Sequence, residues 1–217
     1  MTPYYEQDGI TIYHGDCREI LPTFPDKSFD LVLTDPPYGI LGGSKSIGGS
    51  NIVAANVYDL SWDVRLPQVE IVSIAALGLR AVVWGGNYYE FPPTNSLFVW
   101  DKKVQNGWED NFSDGEIAWT SWAHPLRIYR QLWMGALRKN GEVRIHPTQK
   151  PVDLFRWCII QSGDPHSILD PFMGSGTTLV AAKQLGRKAV GIEIEEKYCE
   201  IAVKRLAQME MSFAETA

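Results

Sequence analysis

Two short runs hold the residues that could do chemistry. The first is Asp35-Pro36-Pro37-Tyr38, directly after the apolar stretch Phe29-Asp30-Leu31-Val32-Leu33-Thr34. An ionised carboxylate only accepts hydrogen bonds. Asp35 and a neighbouring backbone carbonyl can therefore receive both hydrogens of a planar amine, while the Tyr38 ring stacks on the heterocycle that carries it. The prolines fix φ and bias the residues before them toward extended geometry, so Asp35 and Tyr38 are held rather than mobile. The plainer alternative is a strand end and a turn, which Asp-Pro and Pro-Pro also mark.

The second run is Ser167-Ile168-Leu169-Asp170-Pro171-Phe172-Met173-Gly174-Ser175-Gly176-Thr177-Thr178. A short apolar strand again ends in Asp-Pro, but here a glycine turn opens a helix from Thr177 to about Leu185, closed by Gly186. The strand Lys188–Ile194 follows and carries the acid Glu193 near its end. Strand, glycine turn, helix, strand and acid is the order by which a βαβ unit binds an adenosine-containing cofactor, the acid accepting from ribose hydroxyls. A phosphate loop of the triphosphatase kind would need a Lys after the glycines, and none is there. A purely structural βαβ turn is the remaining alternative.

The elements around these runs must bring them to one rim. Ile10–Tyr13 reads as a strand ending in His14-Gly15-Asp16, with a helix from Cys17 to about Leu21, so Asp16 is either a helix N-cap, a ligand contact or both. Pro67–Leu79 reads as a helix with Val69, Val72, Ala76 and Leu79 near helical spacing. Arg80–Gly86, Ser96–Lys102 and Glu116–Trp122 read as strands, Pro151 to about Gln161 as a helix stopped by Gly163, and Glu195 to about Met211 as the last helix. Trp84, Trp100, Trp119 and Trp122 suit core packing better than base stacking. Residues 39–56 are rich in Gly and Ser and follow Tyr38 at once, which suits either a lid over a substrate or disorder without function.

These motifs, in this order, resemble the amino-methylating DNA methyltransferases that use S-adenosylmethionine. Asp35-Pro36-Pro37-Tyr38 is similar to their catalytic motif, Asp170–Thr178 to their cofactor motif, and Gly191-Ile192-Glu193-Ile194 to their ribose-binding strand. His146-Pro147-Thr148-Gln149-Lys150-Pro151 is similar to the segment preceding the cofactor motif in the circularly permuted order often called β. The resemblance spans roughly residues 10–207. It implies an α/β, Rossmann-like fold with a mostly parallel, doubly wound sheet and an antiparallel edge strand, in one domain over 1–217. A catalytic half at about 10–102, a short recognition region at about 103–145 and a cofactor-binding half at about 146–211 would make up that domain.

By this resemblance Asp35, Pro36, Pro37 and Tyr38 are catalytic. Asp16, Asp35, Lys150, Asp170, Pro171, Phe172, Gly174, Ser175, Gly176, Thr177, Thr178 and Glu193 contact S-adenosylmethionine. The implied reaction is methyl transfer to the N6 amine of a flipped adenine in double-stranded DNA. Members acting on cytosine N4 more often carry Ser where Asp35 stands, and protein-glutamine enzymes usually carry Asn. Cytosine N4 methylation remains the enzymatic alternative. An inactive decoy of the same fold is the other, against which the intact Asp35-Pro36-Pro37-Tyr38 counts.

Composition suits one compact enzyme: 217 residues, 45% hydrophobic and 12% aromatic, enough for a full core. No run of about eighteen uncharged apolar residues and no N-terminal charged-then-apolar signal is present, so a soluble cytoplasmic protein of a bacterium or phage-infected cell is expected. Cys17, Cys158 and Cys199 are widely spaced, as are the four histidines, and no metal is expected. The net charge of −6 is unusual for a DNA binder, but residues 124–150 carry +5. Arg127, Arg130, Arg138, Lys139 and Arg144 in that stretch are expected to lie mainly on one surface and meet phosphates, though a solvated hairpin would look the same. A homodimer would double so narrow a basic track.

Overall fold

The computed structural model describes residues 2–39, 64–103, 113–134, 137–138 and 149–214. Strand β1 (Tyr5–Gln7) and β2 (Ile10–His14) lead into α1 (Cys17–Ile20), then β3 (Phe29–Thr34), α2 (Gln68–Ala76), β4 (Gly78–Trp84) and β5 (Leu97–Asp101). Next come β6 (Gly115–Thr120), β7 (Arg127–Arg130) and a small hairpin of β8 (Trp133–Met134) and β9 (Leu137–Arg138). Helix α3 (Val152–Gln161), β10 (Ser167–Asp170), α4 (Thr177–Gln184), β11 (Lys188–Glu193) and α5 (Glu196–Ala214) complete the order.

Nine strands form one sheet in the order β1-β2-β11-β10-β3-β4-β6-β5-β7. From β2 through β4 all neighbours are parallel. The expected antiparallel edge strand is β1. A second antiparallel strand, β6, lies inside the sheet between β4 and β5, and β7 runs parallel to β5. This is an α/β, Rossmann-like fold.

Why β3 sits at the centre is legible in its side chains. Parallel strands covered on both faces need apolar residues at both parities. Leu31 and Leu33 pack with residues of α3, α4 and α5 on one face, and Val32 packs with α1 and α2 on the other, all three at 0% exposure. Burying a side chain of this size contributes ~1.5–3 kcal/mol, so the two faces together pin the strand's register. Asp30, at the other end, accepts from the backbone N–H groups of His166 and Ser167, both at 2.9 Å, locking the starts of β3 and β10 together.

Helix α2 departs from the expected pattern. It stops at Ala76, with the Leu77 N–H donating to the Ile74 carbonyl, and Leu79 lies in β4 and is exposed. Its buried residues are Ile71 and Ile74, while Val69 and Val72 face solvent. Apolar residues surround this helix, so periodicity could not choose the face; packing against β4 did. Among the tryptophans, Trp84 and Trp100 are core residues, and Trp119 stacks on Phe91 at 4.2 Å between centroids.

Candidate active site

The carboxyl ends of the parallel strands meet at one rim, where ligands of open α/β sheets bind. Strand β2 leads to Asp16, β11 ends on Glu193, β10 on Asp170, and β3 delivers Asp35. A cavity of about 550 Å³ runs along this rim from Asp16 and Glu193, past Pro171, Phe172, Gly174, Ser175, Thr177 and Thr178, to Asp35 and Lys150. Asp16 is the N-cap of α1, accepting from the Arg18 backbone N–H at 2.9 Å, and it also lines the cavity. The Arg18 guanidinium holds its carboxyl below the usual range.

Asp170 builds the glycine turn. Its carboxylate accepts from the Thr34 hydroxyl at 3.0 Å, from the Phe172 N–H at 3.2 Å and from the Thr178 hydroxyl. These donors tie the ends of β3 and β10 to the start of α4. They are all neutral, and burial pushes the Asp170 carboxyl up to about 7 despite them. Glu193 closes the turn from β11, accepting from the N–H of Gly174 at 3.0 Å and of Glu195 at 2.8 Å. Burial raises its carboxyl and these two donors oppose the rise. Gly176 does not line the cavity. Its φ of +79° starts α4, and a Cβ there would come within 2.7 Å of the Ala202 Cβ on α5, so the glycine serves helix packing rather than ligand clearance.

Asp35 is the centre of a buried charge chain. Its Oδ2 pairs with the Lys150 Nζ, and its Oδ1 accepts from the Tyr38 hydroxyl. Lys150 is 5% exposed and also lies 3.1 Å from Glu116 Oε2, and Glu116 Oε1 pairs with Lys102. Negative and positive groups thus alternate from Asp35 to Lys102. Burial pushes the Asp35 carboxyl above its ordinary range while the Lys150 ammonium pulls against it. Burial would likewise raise Glu116, but Lys150 and Lys102 outweigh it and hold that carboxyl at about 2. The Lys150 ammonium, which burial alone would weaken, is kept charged by Asp35 and Glu116.

Local backbone fixes the aromatic residue. The Tyr89 hydroxyl donates to the Pro37 carbonyl at 2.7 Å, which anchors the turn after β3. The Tyr38 ring lies over Gly85, where any Cβ would run into it, and sits 4.9 Å from the Tyr88 ring. Tyr38 and Pro36 are absent from the cavity wall, whereas Asp35 and Pro37 belong to it.

Most residues singled out in the sequence therefore converge, with three qualifications. Lys150, expected at the cofactor, lines the cavity but spends its ammonium on two carboxylates. Of the basic residues, Arg127 and Arg130 lie among the described side chains, and these two do not share a face of the sheet. Alternation along β7 turns Arg127 and Arg130 to opposite sides of the sheet, and Arg130 lies 3.4 Å from Asp101. Arg138 is on β9, while Lys139, Arg144, the His146–Thr148 part of the motif and the glycine-serine stretch from residue 40 on fall outside the described residues.

Two further residues take part in the site. Glu116 reads in sequence only as the start of a strand, yet it shares a face of β6 with the fully buried Ala118 and the 2%-exposed Thr120. An acid on an inward parity asks for a cation, and that was a usable signal. Arg205, on α5, donates to the Ser175 carbonyl at 2.7 Å and to the Ser175 and Thr177 hydroxyls, bracing the turn. Nothing in the sequence around it announces that contact.

The fold and rim define a Rossmann-like α/β protein in which a glycine-turn cavity reaches the Asp35 carboxylate. The sequence profile of the DNA methylase family, whose members act on N6 or N4 amines, matches residues 87–204, more than half of the chain. The chain belongs to that family. It is 29% identical to the type II methyltransferase M2.LlaDCHI of Lactococcus lactis subsp. cremoris, over 94% of this chain and 91% of the relative. Among solved structures it is similar to M1.HpyAVI in complex with SAM (TM-score 0.56, 24% identity, 91% of this chain and 98% of that one). It is also similar to the cytosine-N4-specific PvuII DNA methyltransferase (TM-score 0.59, 19% identity, 94% and 88% covered).

Proposed function

We propose that this DNA methyltransferase transfers a methyl group from S-adenosylmethionine to the N6 amine of an adenine flipped out of double-stranded DNA, in a restriction–modification setting. One arrangement supports the reading above others: Asp35, fixed at the end of β3, shares a cavity with the Asp170–Thr178 turn and Glu193.

The cavity suits the cofactor on its own terms. Its length joins a carboxylate that can accept from ribose hydroxyls, Glu193, to the carboxylate that would receive the substrate amine. Asp16 and Phe172 would flank the adenine, and Gly174 and Ser175 the backbone-lined middle. Bound there, S-adenosylmethionine supplies an electrophilic methyl group.

An exocyclic amine delocalises its lone pair into the ring and is a poor nucleophile in the plane. Asp35 and the Pro36 carbonyl would accept its two hydrogens, letting the nitrogen move toward tetrahedral geometry. This is positioning and electrostatic stabilisation, with no covalent intermediate on the protein. The buried thiols fit that: burial pushes Cys17 up to about 11 and Cys199 up to about 12, away from thiolate chemistry. The reacting atom is unreachable inside a stack, so the base is extruded and Tyr38 stacks on it.

Digesting DNA from cells expressing the protein to nucleosides tests the proposal. N6-methyladenine is expected. N4-methylcytosine would overturn the choice of base, and the likeness to a cytosine-N4 enzyme makes that the outcome to watch.

A further inference from the structure

We propose that Glu116 is a positioning residue: it holds the Lys150 ammonium beside Asp35 and takes it over when the target amine arrives. The inference rests on the reading of Asp35 as the amine acceptor. It does not depend on which base carries the amine.

Both oxygens of Asp35 already have donors, Tyr38 at Oδ1 and Lys150 at Oδ2. A carboxylate offers about four acceptor sites, so an arriving amine competes with these donors for Asp35, and yielding one of them frees its charge for the amine. The Tyr38 ring packs against Gly85 and lies 4.9 Å from the Tyr88 ring, contacts that a shift of its hydroxyl would disturb. Lys150 has somewhere to go: Glu116 Oε2 lies 3.1 Å from its Nζ. A flexible four-carbon stem lets the ammonium shift between carboxylates without moving the backbone. The rings of Tyr38 and Trp84, 5.9 and 5.7 Å from Nζ, add a favourable surrounding for the cation at either place. Without a second carboxylate, releasing Asp35 would strand a charge at 5% exposure, the costliest state for such a group. Lys102 on the far side of Glu116 keeps the chain neutral as a whole.

The groups facing Asp35 set the signs. These are Lys150, Tyr38, Glu116 from β6, and Asp170 across Thr34 from β10. Removing the negative charge of Glu116 lowers the Asp35 carboxyl, while removing the positive charge of Lys150 raises it. The acid limb of kcat/KM, which reports ionised Asp35, therefore moves to lower pH in Glu116→Gln and to higher pH in Lys150→Met.

The experiment compares wild type, Glu116→Gln, Glu116→Asp and Lys150→Met on duplex DNA carrying the site found by sequencing methylated DNA. In Glu116→Gln the amine must compete with a lysine that has lost its alternative, so KM for DNA should rise about tenfold with kcat within about twofold. Affinity for the same duplex with the target base deleted should be unchanged, as should affinity for S-adenosylmethionine. Glu116→Asp, which keeps the charge one methylene further back, should recover much of the KM and leave the acid limb in place. An unchanged KM in Glu116→Gln overturns the inference, as does equal weakening on the base-deleted duplex, which would signify only a disturbed fold. Should Glu116→Gln fail to bind S-adenosylmethionine, Glu116→Asp decides: kcat and KM both close to wild type support the role of the charge, and a loss of kcat at unchanged KM overturns it. Methylated cytosine in the wild-type product would refute the choice of adenine and leave this comparison intact.

Discussion

Asp35 and Asp170 end adjacent parallel strands, precede prolines and lie on one rim, yet their surroundings make them different groups. Asp170, at 3% exposure, is met by two hydroxyls and one backbone N–H, none of them charged. Asp35 is met by an ammonium and a phenol, and its side chain keeps 18% exposure toward the cavity. With only neutral donors, burial wins at Asp170 and its carboxyl rises to about 7. At Asp35 burial also raises the carboxyl, but there the Lys150 ammonium pulls against it. The same dipeptide thus closes on neutral donors in one half of the chain and on an ammonium in the other. Neighbours, not the motif, assign the role.

The largest effect should follow from removing the acceptor. Asp35→Ala should abolish methyl transfer while leaving S-adenosylmethionine affinity nearly intact, because the lost interaction matters chiefly in the transition state. Turnover is read by methyl incorporation and affinity by calorimetry. Retention of more than about a tenth of wild-type kcat, equivalent to only ~1.4 kcal/mol of barrier, would mean Asp35 is not the acceptor.

Glu193 extends the comparison to the third strand end. Its carboxylate already orders two backbone N–H groups, so Glu193→Ala should weaken S-adenosylmethionine both directly and by loosening Gly174. A loss of roughly ten- to a hundredfold is expected, in line with ~1.5–3 kcal/mol for a hydrogen bond to a charged group. Gly174→Leu should weaken binding too. Titrations showing wild-type affinity for both variants would remove the cofactor from this turn.

Sequence and structure agree most where chain-local chemistry decides. The limits of β3 match the expected strand residue for residue, since an apolar run closed by Asp-Pro leaves little freedom. Both strand-end acids, the glycine turn and Glu193 were legible for the same reason. What was not legible depends on partners far away in the chain. Glu116 meets Lys150 only because β6 inserts antiparallel beside β4, and the α2 face was settled by β4 rather than by its own pattern. The split of Arg127 and Arg130 needed the strand assignment of β7 before alternation could separate them.

The Asp170 side of the comparison can be sharpened by pH. A carboxyl raised to about 7 in the folded chain, against ~3.9 unfolded, binds its proton more tightly when folded. Its contribution to stability is complete below the unfolded value and is lost as pH rises through about 7. In that window wild-type stability should fall by up to ~1.4 kcal/mol per pH unit from this group alone. Asp170→Asn cannot titrate and should lack that slope, whatever its absolute stability. Urea unfolding between pH 5 and 7 reads the difference, and parallel slopes in the two proteins would place the Asp170 carboxyl at its ordinary value.

The smallest effect expected is on the surface, where charges act through salt-screened contacts. Arg127 and Arg130 leave opposite sides of β7, and Arg130 already has Asp101 nearby. A DNA duplex lying along one side of the sheet can engage one of these arginines much better than the other. Each phosphate contact contributes roughly 0.9 to the slope of log affinity against log salt. The Arg127→Ala/Arg130→Ala double variant should therefore lose about one contact's worth of slope, not two, with most of it recovered in one of the single variants. Affinities measured at several salt concentrations decide the matter. A loss near two, shared equally by the single variants, would mean the DNA wraps the β7 edge and touches both sides. A slope equal to wild type would move the phosphate contacts away from β7 altogether.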